Sequence, residues 1–347
     1  MRTVNAVSRL RCPPLSLADR AVLAAALMFA ALAAVSTLAG CGGRGDEGGG
    51  RSADRATEVV DVFVSIAPQQ YFVQRIGGPR VTVDVMVPPG ESPHTYSPSP
   101  RKVVALGGSD IYFTLGLPFE TRLIEKIRGV GPDLMIVSAD RGIDRRRLED
   151  HGHGHFEEEH AADEPGLADE TRAGDEAHHE DEAPKGEPDP HIWLGPDNIA
   201  RIARNTRDGL VRAAPAYRSE FDGRLAELLE DIESVDRRIH ELMDPYEGRR
   251  VLVFHPAFGY FTDAYGLEQI AIEIEGKSPT PRQLEALIGR ARRENVRIIF
   301  VQAQFDRTAA EKVAEAIDGA VVPLDPLSPD VLANLREIAD RIAAALE

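Results

Sequence analysis

The sequence predicts an α/β protein built as two parallel-sheet lobes joined by a long rigid helix. Two separate stretches, near residues 59–137 and 250–324, alternate short strands rich in β-branched residues with short helices. This alternation is typical of parallel sheets covered by helices. Between the two stretches, Pro215–Met243 carries apolar residues at helical spacing along its whole length. The chain is therefore predicted to fold as two lobes and a connector.

The first lobe is predicted to begin with a buried strand over Val59–Ala67, because this segment is almost continuously apolar and β-branched. Pro68 begins a helix that runs through Ile76, and Gly77-Gly78-Pro79 ends it. The strands predicted to follow are Val81–Val87, Ser109–Leu115 and Leu134–Val137.

The connector is predicted to be one amphipathic helix over Pro215–Met243, ended by Asp244-Pro245. Its apolar residues recur at steps of three and four: Phe221, Leu225, Leu228, Leu229, Ile232, Val235, Ile239 and Leu242. Such a helix is about 40 Å long at 1.5 Å per residue. That length allows it to contact both lobes as a stiff brace.

The second lobe repeats the alternation of strands and helices without an obvious sequence repeat. Its strands are predicted near Arg250–Phe254, Gln269–Ile274, Arg297–Val301 and Ala320–Leu324. Its helices are predicted near Pro256–Tyr265, Pro281–Arg293, Arg307–Ile317 and Pro329–Leu346.

The N-terminus carries the features of an exported lipoprotein. Four arginines lie within the first twenty residues, an apolar run covers Ala21–Leu38, and Leu38-Ala39-Gly40-Cys41 matches a lipobox. The run is also just long enough for an uncleaved membrane anchor. Small residues before the cysteine favour cleavage instead. We expect lipidation of Cys41, which would anchor the protein to a bacterial membrane, facing the periplasm or the cell exterior.

The net charge of −17 is concentrated in one segment. Residues 149–189 hold sixteen acidic residues and two basic ones, so the rest of the chain is nearly neutral. We expect no nucleic acid partner, because no basic stripe is present to neutralise phosphates. The segment lacks an apolar run and is predicted to be disordered.

The predicted domain boundaries follow from these composition changes. They are 1–40 for the lipoprotein signal peptide, 41–57 for a glycine-rich tether, 58–195 for the first lobe with its acidic loop 149–189, 196–248 for the helical brace region and 249–347 for the second lobe.

Three histidines stand out as candidate metal ligands: His94, His191 and His255. Each adjoins a proline in a predicted loop or strand end, whereas His240 lies on the brace as an ordinary surface or packing residue. In parallel lobes such loops gather at the carboxyl edge of the sheet. A single histidine is more often structural than a ligand, but the shared context in both lobes favours one metal site in the interlobe cleft. Three neutral imidazoles and one further position suit Zn²⁺.

The acidic segment holds the other six histidines: His151, His153, His155, His160, His178 and His179. Two hypotheses remain open for them. The segment is either a solvated acidic spacer or an auxiliary metal-binding loop that collects or senses zinc weakly.

Three motifs give the chain a specific resemblance: SPHTYSPSP at Ser92–Pro100, DPHIWLGP at Asp189–Pro196 and VFHPAFGYF at Val253–Phe261. They are similar, in the same order, to the metal-site motifs of the solute-binding proteins of bacterial zinc and manganese ABC importers. The similarity extends over essentially the whole mature chain. It implies the three histidines named above as ligands.

The resemblance also bears on the fourth ligand and on the metal. Asp325, in LDPL at Leu324–Leu327, resembles the acidic fourth ligand of many members. Pro93 stands where some zinc members have a glutamate, so Asp325 or water must complete the site. Manganese-importing relatives place a carboxylate where His255 stands, so three imidazoles favour Zn²⁺, with Mn²⁺ as the alternative. We expect a monomer that delivers its ion to an ABC transporter permease.

Two other functions compete with this one. A metalloenzyme also has three histidines and an open position, but the sequence offers no HExxH or comparable base motif, and Asp325 would close the site. A surface adhesin or zinc-buffering lipoprotein has the same architecture. We expect a binding protein rather than an enzyme.

Overall fold

The computed structural model describes residues 59–148, 186–273, 280–293, 296–305 and 307–347. The predicted signal peptide, the tether and the six histidines of the acidic segment lie outside these ranges. Within them, no helix combines the length and the apolar character needed to cross a membrane.

Two four-stranded parallel sheets form the frame of the molecule. Their strands are β1 (Val60–Val64), β2 (Val81–Val85), β3 (Ile111–Thr114), β4 (Met135–Ser138), β5 (Arg250–Val253), β6 (Glu268–Ala271), β7 (Ile298–Val301) and β8 (Ala320–Pro323). The orders are β2-β1-β3-β4 and β6-β5-β7-β8. The two orders are equivalent, so the predicted pair of α/β lobes with a shared architecture is confirmed.

The helices lie between and around these strands. They are α1 (Ala67–Gly77), α2 (Pro100–Gly107), α3 (Pro118–Ile127), α4 (Pro196–Ala213), α5 (Arg218–Met243), α6 (Gly259–Ala264), α7 (Pro281–Arg293), α8 (Arg307–Ala316) and α9 (Val331–Leu346). Several begin at a proline, whose fixed φ suits the first helical turn and whose missing N–H costs nothing there.

The predicted start of helix α6 is wrong. The sequence predicts a helix from Pro256, but α6 begins at Gly259. Before it the chain turns tightly, because the Ala257 N–H donates to the His255 carbonyl at 2.7 Å. The Phe258 N–H donates to Gln269 Oε1 at 2.8 Å. These contacts satisfy the backbone outside a helix and hold the segment against the sheet.

Helix α5 is the predicted brace, and it begins after a 3₁₀ turn at Pro215–Tyr217 rather than at Pro215 itself. Its 26 residues extend over about 39 Å. Phe221, Leu228 and Ile239 lie on its buried face. The helix packs against α1 and α4 on the side of the first lobe and against α9, which follows the second sheet. One helix thus contacts elements of both lobes.

The two lobes share a hydrophobic core. One cluster of buried residues includes Val62 of β1, Leu228 of the brace, Val253 of β5 and Ile338 of α9. A second cluster, with Leu252, lies on the other face of the second sheet. Adjacent residues of β5 enter different clusters because successive side chains of a strand point to opposite faces. Since close-packed interiors resist sliding, this shared core favours a fixed arrangement of the lobes.

Candidate metal site

His94, His191 and His255 converge on one point between the lobes. Their Nε2 atoms form a nearly equilateral triangle, with 3.1 Å between His94 and His191 and 3.2 Å from His255 to each of the others. An ion at about 2.0–2.1 Å from each nitrogen, the usual Zn–N distance, would have N–Zn–N angles of about 95–106°, near the tetrahedral value. The triangle therefore fits one zinc ion with a further coordination position.

His191 is oriented by a local turn. The sequence Asp189-Pro190-His191 lets Asp189 Oδ1 accept from the His191 backbone N–H at 2.9 Å and lie 2.7 Å from His191 Nδ1. Aspartate commonly accepts from the N–H two residues on, and proline fixes φ between them. Both side chains are buried. A 3₁₀ turn at Ile192–Leu194 then leads into α4.

His255 is oriented by the second sheet. It lies two residues beyond β5, and the parallel register, which pairs Val253 with Ala271, continues to place Glu273 beside it. His255 Nδ1 lies 3.1 Å from Glu273 Oε2. Gln302, just after β7, donates to the His255 carbonyl at 2.8 Å and accepts from its N–H at 3.4 Å. Groups beyond the carboxyl ends of the two neighbouring strands thus hold the ring and the backbone of His255.

His94 lies in the loop that follows β2 and is half-buried, unlike the other two ligand candidates. Its backbone N–H donates to Ser92 Oγ at 3.3 Å. Gly90, at φ 85°, provides the left-handed conformation that turns this loop. His94 is therefore held by a loop rather than by a strand end.

The protonation of the rings makes the site ready for a cation. Ionised carboxylates only accept hydrogen bonds, so the contacts of Asp189 and Glu273 place a proton on Nδ1 and leave Nε2 bare on His191 and His255. Burial, reinforced by the other two histidines, lowers the pKa of His94 to about 3. Burial also lowers the pKa of His255, against the opposing effect of Glu273. A lowered pKa keeps the His94 and His255 rings neutral, which is the form that binds a metal ion.

Asp189 stays ionised in spite of its position. Burial by itself would raise the pKa of this carboxyl, but the hydrogen bonds from His191 and the charge of Arg146 outweigh it and bring the pKa below its ordinary value. The carboxylate is thus held in the form that accepts from Nδ1.

The cavity beside the histidines is small. Its volume is about 20 Å³, and its lining includes Trp193, Phe305 and Leu327 with the three histidines. A cavity needs roughly 10–15 Å³ to hold one water molecule. The space therefore has room for an ion or a water molecule.

The structure does not bring Asp325 into the histidine triangle. Its side chain is exposed, and its Oδ1 accepts from the Leu327 N–H at 2.9 Å and from Gln304 Nε2 at 3.4 Å. The choice between Asp325 and water as fourth ligand stays a prediction.

The other histidines and the lipidation site are placed as follows. His240 lies on the brace as predicted, with its Nε2 3.7 Å from Asp236 Oδ1 and its ring packed against Tyr265. Cys41 and the acidic-segment histidines lie outside the described residues.

Sequence reasoning missed two residues of the site, Asp189 and Glu273. Asp189 had a usable signal, because an aspartate two residues before a histidine, across a proline, forms a local turn. Glu273 had a weaker one. It follows a strand whose pairing with β5 only the register reveals.

Together, these features define a two-lobed α/β protein with three histidines that could hold a metal ion between its lobes. The chain belongs to the ZnuA family, described as "Zinc-uptake complex component A periplasmic", whose model matches residues 62–345. The resemblance drawn from the three motifs is thereby confirmed.

Relatives with curated names agree with this family. The chain is 24% identical over 294 residues to the high-affinity zinc uptake system protein ZnuA of Bacillus subtilis, covering 84% of this chain and 83% of the relative. It is 25% identical over 274 residues to the manganese-binding lipoprotein MntA of Halalkalibacterium halodurans, covering 78% of each.

Solved structures agree on the fold. The chain matches a crystal structure of ZnuA with a TM-score of 0.72 and 32% identity, covering 84% of this chain and 100% of that one. It also matches the laminin-binding adhesin Lmb of Streptococcus agalactiae with a TM-score of 0.67 and 19% identity, covering 83% of this chain and 100% of that one. The second likeness concerns the fold alone.

Proposed function

We propose that this protein binds Zn²⁺ with high affinity outside the cytoplasm and delivers it to the permease of an ABC importer. The observation that carries the proposal is the convergence of the three Nε2 atoms at 3.1–3.2 Å from one another. One Nε2 atom from each ring faces the same point, and zinc takes imidazole ligands at this spacing. His94, His191 and His255 are the proposed ligands, with Asp325 or water in the fourth position.

The donor set favours zinc over manganese. Imidazole nitrogens suit Zn²⁺, whereas Mn²⁺ prefers oxygen ligands, and general affinity for a given site rises from manganese to zinc. Among the described residues, the carboxylates nearest the rings, Asp189 and Glu273, contact Nδ1 atoms on the outer side. We propose Mn²⁺ as a weaker, alternative ligand.

A carrier function is supported over an enzymatic one by the size of the cavity. The cavity of about 20 Å³ beside the three histidines has room for an ion or a water molecule. The name of the Bacillus relative, a zinc uptake system protein, supports transport. We infer a monomeric binding protein whose cargo is the ion itself.

Metal competition tests the proposed cargo. Protein stripped of metal is titrated with Zn²⁺ and Mn²⁺ against chelators of known affinity, so that only the tightest site is reported. Tight binding of one Zn²⁺ with much weaker Mn²⁺ is expected, and His240→Ala serves as the control that keeps wild-type affinity. Equal affinities for the two ions, or no tight zinc site, would contradict the proposal.

Anchoring at Cys41 is proposed from the lipobox and supported by relatives named as lipoproteins. Cells that express Cys41→Ala are fractionated beside cells that express the wild type. Loss of the variant from the membrane fraction is expected. Membrane retention of the processed variant would contradict lipidation.

The acidic segment is proposed as an auxiliary, weaker zinc-binding region. Deletion of residues 151–182 is expected to keep the tightest zinc site and to lower the total number of bound ions. If the tightest binding event disappears in calorimetry, the segment supplies a principal ligand instead.

A further inference from the structure

We propose that Arg146 is a positioning residue for the metal site, which it serves by fixing the carboxylate that orients His191. The proposal rests on the proposed function, since it concerns the same zinc site. Arg146 also connects the first lobe, through Asp189, to Asp263 on helix α6 of the second lobe.

The central contact is a shared carboxylate. Asp189 Oδ2 accepts from Arg146 Nη1 at 3.2 Å, while Asp189 Oδ1 accepts from the backbone N–H of His191 and lies 2.7 Å from its Nδ1. The Asp189 side chain is completely buried and that of Arg146 is 15% exposed. One carboxylate thus joins the arginine to a proposed zinc ligand, one oxygen for each.

The other side of the guanidinium reaches the second lobe. Arg146 Nε donates to Asp263 Oδ2 at 2.8 Å, and Nη2 donates to Asp263 Oδ1 at 3.4 Å. Asp263 lies on α6 and is 56% exposed, so solvent weakens this ion pair. The contact with Asp189, by contrast, is shielded from solvent.

Tyr260 of α6 ties the same two backbone segments together. The Arg146 N–H donates to the Tyr260 hydroxyl at 3.1 Å, and that hydroxyl donates to the Asp189 carbonyl at 3.0 Å. The Asp189 N–H in turn donates to the Arg146 carbonyl at 2.9 Å. Arg146 and Asp189 thus share a backbone hydrogen bond and a common partner in the second lobe.

The guanidinium occupies a place that requires a glycine beside it. A Cβ on Gly259 would lie 1.6 Å from Arg146 Nη1 and 2.4 Å from its Cζ. Alanine is compatible with the helical backbone at this position, the first residue of α6. Gly259→Ala therefore displaces the guanidinium while leaving its charge in the protein.

Loss of this arginine would leave a buried carboxylate oxygen without its charged partner. A buried carboxylate oxygen without a donor costs free energy, so the Asp189 side chain is expected to rotate or to bind a water molecule. Either change alters the direction in which Asp189 holds the His191 ring. Residues that hydrogen-bond to a metal ligand affect metal affinity by about 10- to 100-fold. Arg146 contacts such a residue, Asp189, rather than the ligand His191 itself. We therefore expect its loss to weaken zinc binding by about tenfold.

The test compares Arg146→Gln with a matched control, Arg145→Gln, in the full-length protein. Arg145 is the adjacent residue, is 18% exposed and pairs with Asp140 within the first lobe. In chelator competition for Zn²⁺, Arg146→Gln is expected to bind about tenfold more weakly, and Arg145→Gln is expected to match the wild type. Gly259→Ala is expected to weaken binding in the same direction, and it decides the question if Arg146→Gln does not fold.

Two further measurements distinguish a positioning role of Arg146 from a purely structural one. The visible spectrum of the Co²⁺-loaded protein is expected to change in Arg146→Gln and Gly259→Ala, because the ligand geometry changes. Arg146→Gln is expected to add no further loss of affinity in an Asp189→Asn background, since both act through one contact. Wild-type affinity and spectrum in both single variants, or additive losses, would overturn the positioning role.

His191→Ala in the same assays keeps the two ideas distinguishable. Loss of tight zinc binding in His191→Ala with wild-type behaviour of Arg146→Gln would overturn only the positioning role of Arg146. Wild-type zinc affinity in His191→Ala would overturn both the proposed zinc site and the positioning role of Arg146.

Discussion

The two lobes share a strand order, yet they hold their candidate ligands by different means. The second lobe fixes His255 at the end of β5, with Glu273 and Gln302 supplied by the neighbouring strands. The first lobe fixes His191 by a turn that begins at Asp189, and it holds His94 in a loop. Equivalent sheets therefore do not imply equivalent ligand supports.

The difference shows that one chemical requirement has two structural solutions. Both His191 and His255 have a buried carboxylate at Nδ1, which selects the tautomer with Nε2 bare. In one case the carboxylate is two residues away in sequence, and in the other it is 18 residues away, just after the neighbouring strand. The local solution depends on a turn, and the long-range solution depends on sheet register.

The largest expected effect is the loss of a ligand. His94→Ala, His191→Ala and His255→Ala are each expected to weaken zinc binding by orders of magnitude, because each opens the coordination shell. Chelator competition measures the effect, and His240→Ala is the control. If the loop-held His94 proves dispensable while the other two are not, the site has two principal ligands rather than three.

The carboxylates at Nδ1 are expected to have the next largest effect. Asp189→Asn and Glu273→Gln are each expected to weaken zinc binding by about 10- to 100-fold, because they no longer fix the ring and its tautomer. Similar losses in the two variants would show that local and long-range supports are equivalent in strength. Wild-type affinity in either variant would remove that carboxylate from the site.

A pH prediction concerns the buried glutamate of the first lobe that lies away from the metal. Glu120 accepts from the backbone N–H groups of Leu115 and Leu117, each at 3.0 Å, and from Ser65 Oγ. Burial raises its pKa to about 7, against these hydrogen bonds. A carboxyl that binds its proton more tightly when folded contributes stability at low pH. This contribution is lost as pH rises from about 4.5 through about 7.

The metal-free wild type is therefore expected to lose thermal stability relative to Glu120→Gln between pH 5 and pH 8. Melting temperatures of both proteins across this range measure the difference. Zinc affinity is expected to be the same in the two proteins, in contrast to Glu273→Gln. A stability difference that does not change with pH would show that Glu120 is ionised throughout.

The smallest expected effect is the movement of the lobes on zinc binding. Bending α5 would break backbone hydrogen bonds and disturb its packing against α1, α4 and α9. The shared core resists the same movement. Small-angle scattering of metal-free and zinc-loaded protein lacking residues 151–182 is expected to give nearly the same radius of gyration. A contraction typical of hinge closure would contradict the rigid brace.

The sequence by itself determined the local features of this protein. The brace follows from apolar residues at helical spacing, and the strands follow from runs of β-branched residues, so both were predicted within a few residues. The candidate ligands His94, His191 and His255 were predicted because each adjoins a proline in a motif. Such signals lie within one stretch of chain, where backbone preference and periodicity act without help from distant residues.

The tertiary structure alone decided which distant groups meet. Glu273 reaches His255 because β5 and β6 pair in one register, and a one-residue slip would turn its side chain to the other face. Arg146 contacts Asp189, which is 43 residues away in sequence, because the fold places the two segments side by side. Asp325 Oδ1 accepts hydrogen bonds from Leu327 and Gln304, and the fourth-ligand role that its motif predicts stays a prediction. The physical reason is that pairing register and packing, unlike local periodicity, depend on contacts between residues far apart in the chain.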